Sequence, residues 1–329
     1  MIDRSNAPAS ERTDAKVLAL CGGVGGAKLA LGLYRVLAPG RLTVAINTGD
    51  DFEHLGLHIS PDIDTVTYTL AGLNDTERGW GLAEESWQFM SALRGLGGEA
   101  WFQLGDRDLA THVLRTMRMK AGEPLSQVTS GFASRLGIDA TIIPMSDDAV
   151  RTTVCTNEGD LPFQRYFVEH QCKPHVRAIK FEGVSEARPH PELMDALADP
   201  ELTAIVICPS NPYLSVDPML ALPGMREALL AAKAPVIGVS PIVGGEAIKG
   251  PTAKIMRELD LPVTIRSIAD HYKGLIDGLI VDNVDAAEAS LLDVRVGVTG
   301  AVMTSLDDRE RLARTVVDFA RSFKAGNGS

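Results

Sequence analysis

The sequence predicts an α/β fold: a doubly wound, mainly parallel sheet with a helical and small antiparallel region inserted in its middle. Three observations predict it. The apolar run Lys16–Cys21 ends in glycines and leads directly into a segment with helical spacing. A second apolar run, 42–47, follows at once, which is the strand–turn–helix–strand opening of such a sheet. Beyond residue 200, short apolar runs again alternate with helix-length stretches, so both ends of the chain feed one sheet.

Taken in order, residues 1–14 are polar and read as a flexible tail. Residues 15–329 read as a single domain with an inserted subdomain at about 70–185. After the strand 16–21 come a helix over 27–37 and a strand over 42–47. The middle is mainly helical, with helices expected at 63–71, 82–93, 109–121 and 126–136; Leu125, Val128 and Phe132 share one face at helical spacing. Strands at 140–144, 152–156 and 163–168 lie so close together that an antiparallel excursion is expected around 150–185. The parallel rhythm then resumes with strands at 204–208, 236–240, 263–265, 278–281 and 294–298. Helices are expected at 218–232, 252–259 and 286–292, and an amphipathic helix over 308–323 closes the chain.

Composition narrows the function. A net charge of -11 argues against sequence-blind nucleic-acid binding, which needs basic surface to release counterions. No apolar stretch reaches the roughly 20 residues that span a bilayer, and residues 1–15 lack the apolar core of a signal peptide. A cytoplasmic protein is expected. Cys21, Cys155, Cys172 and Cys208 form no C-x-x-C pair or zinc pattern and read as reduced structural thiols. The histidines show no metal spacing.

The glycine-rich segment Gly22, Gly23, Val24, Gly25, Gly26, Ala27, Lys28 follows a strand and opens a helix. Glycines there let the backbone approach a ligand, and free N–H groups at the helix start attract an anion, with Lys28 adding a full charge. It is either a phosphate cradle or a bare tight turn. It is not a Walker loop, because no Ser or Thr follows Lys28. It is not a G-x-G-x-x-G fingerprint either, because Lys28 stands where a glycine is required, which disfavours a nicotinamide-dependent oxidoreductase.

A second group is acidic. Asp50 and Asp51 follow the second strand; Asp62, Asp64 and Thr65 come shortly after. Ligands of open parallel sheets lie beyond the carboxyl ends of the strands, so these carboxylates are expected near the glycine loop. Crowded carboxylates raise one another's pKa unless a cation joins them, and magnesium suits such a site. Asp62 or Asp64 could instead cap the next helix. Arg107, between Asp106 and Asp108, reads either as a surface salt bridge or as a bidentate phosphate ligand. Ser210 and Asn211 in one Pro-bounded loop, and Ser240 to Gly244 in another, follow consecutive strands and read as a ligand edge or as plain turns.

Together, Gly22 to Lys28, 47–51, 60–65, 104–112, 144–148, 210–212 and 240–244 resemble, in order and across most of the chain, the 2-phospho-L-lactate transferase family of deazaflavin coenzyme biosynthesis. The resemblance implies a Rossmann-like, homodimeric, magnesium-dependent enzyme. Its substrates would be the deazaflavin precursor Fo and a guanosine-diphosphate-activated three-carbon acid (phospholactate, phosphoenolpyruvate or phosphoglycerate), and it would release GMP. It implies that Asp64 and Gln103 contact Fo, the second position varying among relatives, and that Asp50, Asp51 and Asp62 hold magnesium and carry the catalysis. The glycine loop with Lys28 would hold phosphate, and the Ser210–Asn211 and Ser240–Gly244 loops would face guanosine. The rival within the same fold is a non-catalytic, nucleotide-sugar-binding regulator. The acidic cluster favours the enzyme.

Overall fold

The computed structural model describes residues 12–248 and 250–325, and the side chains of 324 and 325 are not described. Most of the expected tail, 1–11, lies outside the described residues. Thr13 already pairs with Leu37, and Asp14 meets Arg41 at 2.8 Å.

Seven parallel strands form the central sheet: β1 (Lys16–Cys21), β2 (Leu42–Ile46), β5 (Thr141–Pro144), β9 (Leu202–Ile207), β10 (Val236–Val239), β13 (Gly278–Val281) and β14 (Arg295–Val298). A hairpin of β3 (Phe52–His54) and β4 (Leu57–Ile59) interrupts the count, as do the antiparallel trio β6 (Arg151–Thr156), β7 (Gly159–Pro162) and β8 (Val176–Glu182), and the pair β11 (Ile242–Val243) and β12 (Glu246–Ala247). The order across the central sheet is β14-β13-β10-β9-β1-β2-β5. β1 pairs with β2 on one side and with β9 on the other. The chain therefore winds outward in both directions from β1, and a crevice opens beyond the carboxyl ends of β1 and β9, where such folds bind ligands.

Alternation along β1 explains the two layers. Val17, Ala19 and Cys21 face one core with Leu29 and Leu33 of α1 (Gly23–Val36) and with Leu312 and Val316 of the last helix. Leu18 and Leu20 face the other core with Met219, Leu229 and Ile268. Both faces of the strand are buried, as expected of a parallel sheet with helices on either side. Each fully buried leucine contributes about 1.5–3 kcal/mol of apolar transfer.

The remaining helices are α2 (Pro61–Ala71), α3 (Gln88–Gly95), α4 (Asp106–Lys120), α5 (Leu125–Arg135), α6 (Pro191–Ala198), α7 (Asp217–Leu220), α8 (Met225–Ala231), α9 (Thr252–Glu258), α10 (Ile265–His271), α11 (Ala286–Ala289) and α12 (Leu306–Ala325). No helix among the described residues is long and apolar enough to cross a membrane.

Several expectations are corrected. The segment 163–168 is no strand: Phe163 and Tyr166 are buried three residues apart and a wide helical turn covers Arg165–Glu169, while the strands flanking β6 are β7 and β8. Residues 263–265 are no strand but lead into α10, whose cap is Thr264, its hydroxyl accepting the Ser267 amide. The expected helix 82–93 begins only at Gln88, because Glu85 is turned across to accept the Arg107 and Asp108 amides at 2.8 Å each and so caps α4. The helix 218–232 is split into α7 and α8 at Gly224, whose φ is +81°. The hairpin β3–β4, missed by periodicity, turns on Leu55 and Gly56, both with positive φ as a tight hairpin turn requires.

Candidate active site

A cavity of about 510 Å³ opens at the carboxyl ends of β1, β2 and β9. Its size is that of a small-molecule site. Gly22, Gly23, Gly25 and Lys28 line it, as do Asp50, Asp62, Asp64, Thr65, Gln103, Ser210 and Asn211. The glycine turn, the acidic cluster and the Pro-bounded loop therefore meet, as the sequence predicted.

The loops are locked together by hydrogen bonds. The Ser210 hydroxyl accepts the Gly22 amide at 3.1 Å and donates to the Gly22 carbonyl at 2.8 Å. Asn211 caps the turn after it, accepting the amides of Tyr213 and Leu214. Gly25 lies so close that a Cβ there would stand 2.5 Å from the Pro209 carbonyl oxygen. Gly23 takes φ +63°, and its amide donates to Asp62 Oδ1 at 2.7 Å. Asp62 thus supplies the negative charge at the amino end of α1, although it belongs to the first turn of α2. The cap expected of Asp62 serves the neighbouring helix, and the first amide of the glycine turn is taken by a side chain.

Asn47, buried at the end of β2, is the hub of the acidic cluster. Its Nδ2 lies 3.0 Å from Asp50 Oδ1 and 3.0 Å from Asp62 Oδ2, and its Oδ1 accepts the Gly49 amide at 2.8 Å. Burial, and then the charge of Asp62, push Asp50 well above the ordinary carboxylate range. Burial raises Asp62 to about 6 against the opposing bonds from Asn47 and Gly23. Two buried carboxylates with raised pKa values and only oxygen donors fit a hard divalent cation.

Asp51 does not join them. It faces away from the cavity, its Oδ2 accepting from the Ser60 hydroxyl at 2.8 Å and lying 3.1 Å from His58 Nε2. Of the three aspartates expected together, Asp50 and Asp62 line the cavity while Asp51 does not, although its Oδ1 is buried without a hydrogen-bond partner and its charge still raises the pKa of both others. Arg107 is exposed and bonded to the Ala83 carbonyl at 2.7 Å, outside the cavity wall. Gly26 packs behind the wall near Cys21 and Ser210. Ser240 closes its own turn onto Ile242, and the Gly244 amide bonds Asp285. In that stretch only Pro241 reaches the cavity, because these polar groups are consumed by turn geometry.

The sequence reading missed a buried ionic network under the cavity. Arg115 of α4, 1% exposed, donates through both terminal nitrogens to Asp64. Burial opposes the charge on Arg115, yet Asp64 outweighs it and raises the guanidinium pKa. His112, one turn earlier, lies 3.3 Å from Asp108 and 3.7 Å from Asp64. Tyr68 donates to Asp108 at 2.5 Å. Burial alone would raise Asp108, but His112 and Tyr68 bring its pKa below the usual value. Donor atoms of Asp64, Asp108 and His112 lie within 4.8 Å of one another, but Arg115 already supplies the positive charge there. Spacing could have hinted at it: positions 108, 112 and 115 fall on one helix face.

The rest of the wall is aromatic and apolar, from Trp80, Phe102, Phe163 and Phe167. Arg78 lines the cavity too, 5.2 Å from the Trp80 ring and 4.8 Å from the Trp87 ring. Phe102 sits edge-on to Phe52 at 4.9 Å and beside Trp101, over which Arg165 is stacked at 4.2 Å.

Comparison with known proteins agrees with this architecture. A phosphoenolpyruvate transferase of Streptomyces griseus is 38% identical over 319 residues, covering 94% of this chain and all of that protein. A 2-phospho-L-lactate transferase of Methanocaldococcus jannaschii is 36% identical over 310 residues, covering 93% of this chain and 98% of its own. The crystal structure of a UPF0052 family protein from Bacillus halodurans superposes with a TM-score of 0.63 at 16% identity over 93% of this chain and 99% of that one, which speaks for the fold alone. The family model described as 2-phospho-L-lactate transferase CofD matches residues 17–321, and the chain belongs to that family.

Proposed function

We propose that this protein transfers a phospho-three-carbon-acid group (phosphoenolpyruvyl, phospholactyl or phosphoglyceryl) from a GDP-activated donor to the ribityl hydroxyl of Fo. GMP is released, and the step belongs to deazaflavin coenzyme biosynthesis. The observation that carries the reading is one cavity walled both by the buried pair Asp50–Asp62 beside the glycine turn and by the rings of Trp80, Phe102, Phe163 and Phe167. The first suits a phosphate-bearing donor and the second a flat, tricyclic acceptor.

In the reaction, the Fo hydroxyl oxygen attacks the phosphorus that bears the acid. A new P–O bond forms, the P–O bond to GMP breaks, and GMP leaves with the bonding electron pair. The hydroxyl proton passes to one of the two buried carboxylates. Such a step needs positioning and charge neutralisation more than covalent chemistry. Magnesium, held by Asp50 and Asp62, would neutralise charge building on the phosphoryl oxygens. Asn47 and the Gly23 amide fix the two carboxylates. Arg115 and His112 fix Asp64 where it can meet Fo, and Gln103, held by Arg94 at 2.6 Å, faces the same space. Ser210 keeps the glycine turn at its distance from Asn211 and the guanosine side. We further propose a homodimeric, cytoplasmic enzyme, as the family likeness suggests.

The test is incubation with Fo, magnesium and each of the three GDP-activated acids, followed by mass spectrometry. The expected outcome is equal amounts of GMP and a phosphodiester-linked deazaflavin with one of the acids. Nucleotide bound but never converted would favour the non-catalytic, nucleotide-binding reading instead.

A further inference from the structure

Beside the main cavity lies a side pocket of about 40 Å³. Lys28, Thr65 and Trp80 line both spaces, so the two share a wall. Thr69, Asn74, Asp75, Thr76 and Arg309 complete the polar lining of the smaller one. Arg309 comes from the first turn of α12, nearly three hundred residues from the glycine turn, and no periodicity or motif marks it.

Its surroundings are unusual for an arginine. The residue is half-buried, its Nε is shielded from solvent without a hydrogen-bond partner, and among the described residues no carboxylate is seen to pair with it. Burial alone lowers its pKa, with nothing opposing. A shielded donor without a partner costs stability, and a ligand that supplies the missing acceptor removes that cost. The carboxylate lining this pocket is Asp75, and its charge is already taken: Asp75 pairs with Arg78 at 2.5 Å and accepts the Glu77 and Arg78 amides. The pocket therefore presents the positive charge of Arg309, with Lys28 on the wall it shares with the main cavity. It is too small for a nucleobase or a flavin ring, and it suits a group the size of a carboxylate or a phosphate.

We propose that Lys28 and Arg309 form a subsite for one compact oxyanion, a carboxylate or phosphoryl group carried by the donor substrate. Naming the donor as its source rests on the transferase reading above; the anion subsite itself does not. Arg309 would form charge-assisted hydrogen bonds to the oxyanion, and Lys28, which also donates to the Met303 carbonyl at 2.9 Å, would add its charge from the shared wall. The subsite would hold the donor by its charge while the reacting phosphorus stays in the main cavity.

Trp80 lines both spaces and gives a fluorescence signal. The wild type, Arg309→Gln and Arg309→Lys should be titrated with inorganic phosphate, with pyruvate and with phosphoenolpyruvate. The expected result is saturable binding of at least one anion that weakens about tenfold or more in Arg309→Gln, the loss of a charge-assisted contact, and is largely kept in Arg309→Lys. Whether phosphate or pyruvate carries the effect identifies which group the subsite holds. Thermal unfolding should be unchanged or raised in Arg309→Gln, because a half-buried cation is removed. Identical titrations in all three proteins, or a lowered unfolding midpoint in Arg309→Gln, would overturn the proposal. Failure to release GMP alongside Arg309-dependent anion binding would sink the transferase reading and leave the subsite standing.

Discussion

Asp50 and Asp62 share one donor: the Nδ2 atom of Asn47 lies 3.0 Å from a carboxylate oxygen of each. Fifteen residues of chain separate Asn47 from Asp62, so this one amide ties the end of β2 to the start of α2. Asn47→Ala leaves both buried carboxylates without that donor. Loss of a hydrogen bond to a charged group costs about 1.5–3 kcal/mol, and here two such bonds go at once. The variant is expected to unfold at lower urea concentration than the wild type and to recover part of the loss with magnesium. Urea titration with and without the ion is the measurement, and an unchanged midpoint would show that Asn47 does not hold the pair.

The same pair sets a pH dependence. In the metal-free protein the folded pKa of Asp62 is about 6, raised above an ordinary carboxylate. The folded state therefore binds more protons than the unfolded state between about pH 4 and 6, and stability falls as pH rises through that window, reaching its floor above it. A shift of this size corresponds to roughly 2–3 kcal/mol for the pair's first proton. Asp62→Asn removes the titration. Between pH 5 and pH 8 it is expected to lose less stability than the wild type does, while GMP release disappears. Equal slopes in the two proteins would contradict the assignment.

A bound cation reverses the sign of that cost. At about 100 times its dissociation constant, a ligand of the native state alone adds ~2.7 kcal/mol. Magnesium should stabilise the wild type more at pH 8 than at pH 5, where protons occupy the carboxylates. It should do nothing for an Asp50→Asn, Asp62→Asn double variant. Asp51→Asn should retain the magnesium effect, because Asp51 faces Ser60 and His58 rather than the cavity. Calorimetric binding of magnesium to these three proteins would decide it.

Much of the site is legible in the sequence because parallel sheets gather the ends of their strands. An apolar strand followed by glycines, and another followed by acids, must deliver both turns to one edge, and Gly22, Gly23, Asp50 and Asp62 are delivered so. What fails is direction within a turn. Asp50 and Asp51 are chemically alike, and only the fold decides which one points inward. Ser240 and Gly244 look like ligand groups until their hydrogen bonds are spent on Ile242 and Asp285. Arg115 shares a helix face with Asp108 and His112, a spacing that hints at the network but not at its partner Asp64 on another helix, and Arg309 reaches the site's edge only because the last helix packs there. The strand misplaced at 163–168 fails because Phe163 and Tyr166 match helical spacing in a segment too short to show a period.

Gly25 separates close packing from backbone freedom. A Cβ at Gly25 would meet the Pro209 carbonyl oxygen at 2.5 Å, whereas one at Gly23 would meet nothing within 4 Å but would be strained at φ +63°. Gly25→Ala must push the two loops apart, and displacement by about 1 Å can cost a hundredfold in rate. Gly23→Ala costs about 1–2 kcal/mol of stability and keeps the spacing. Steady-state GMP release and thermal melts on both variants are expected to show rate lost chiefly in the first and stability lost chiefly in the second. The reverse pattern would mean that loop spacing is not what the glycines protect.

Arg115 and Asp64 offer the sharpest energetic test, because both are buried and Arg115 uses two terminal nitrogens on one carboxylate. Arg115→Met leaves Asp64 without its partner in the interior, a change that costs about 3–5 kcal/mol. Arg115→Lys keeps the charge but not the planar fork, and is expected to fall between. Adding Asp64→Asn to Arg115→Met removes the uncompensated charge and should recover part of the loss, so the cycle is strongly non-additive. Activity behaves differently: the double variant regains stability yet not turnover, since Asp64 lines the cavity and Arg115 only positions it. Urea unfolding and GMP release on the four proteins give the answer. Additive stabilities would mean that the two side chains act independently, and a double variant with restored turnover would remove Asp64 from the acceptor site.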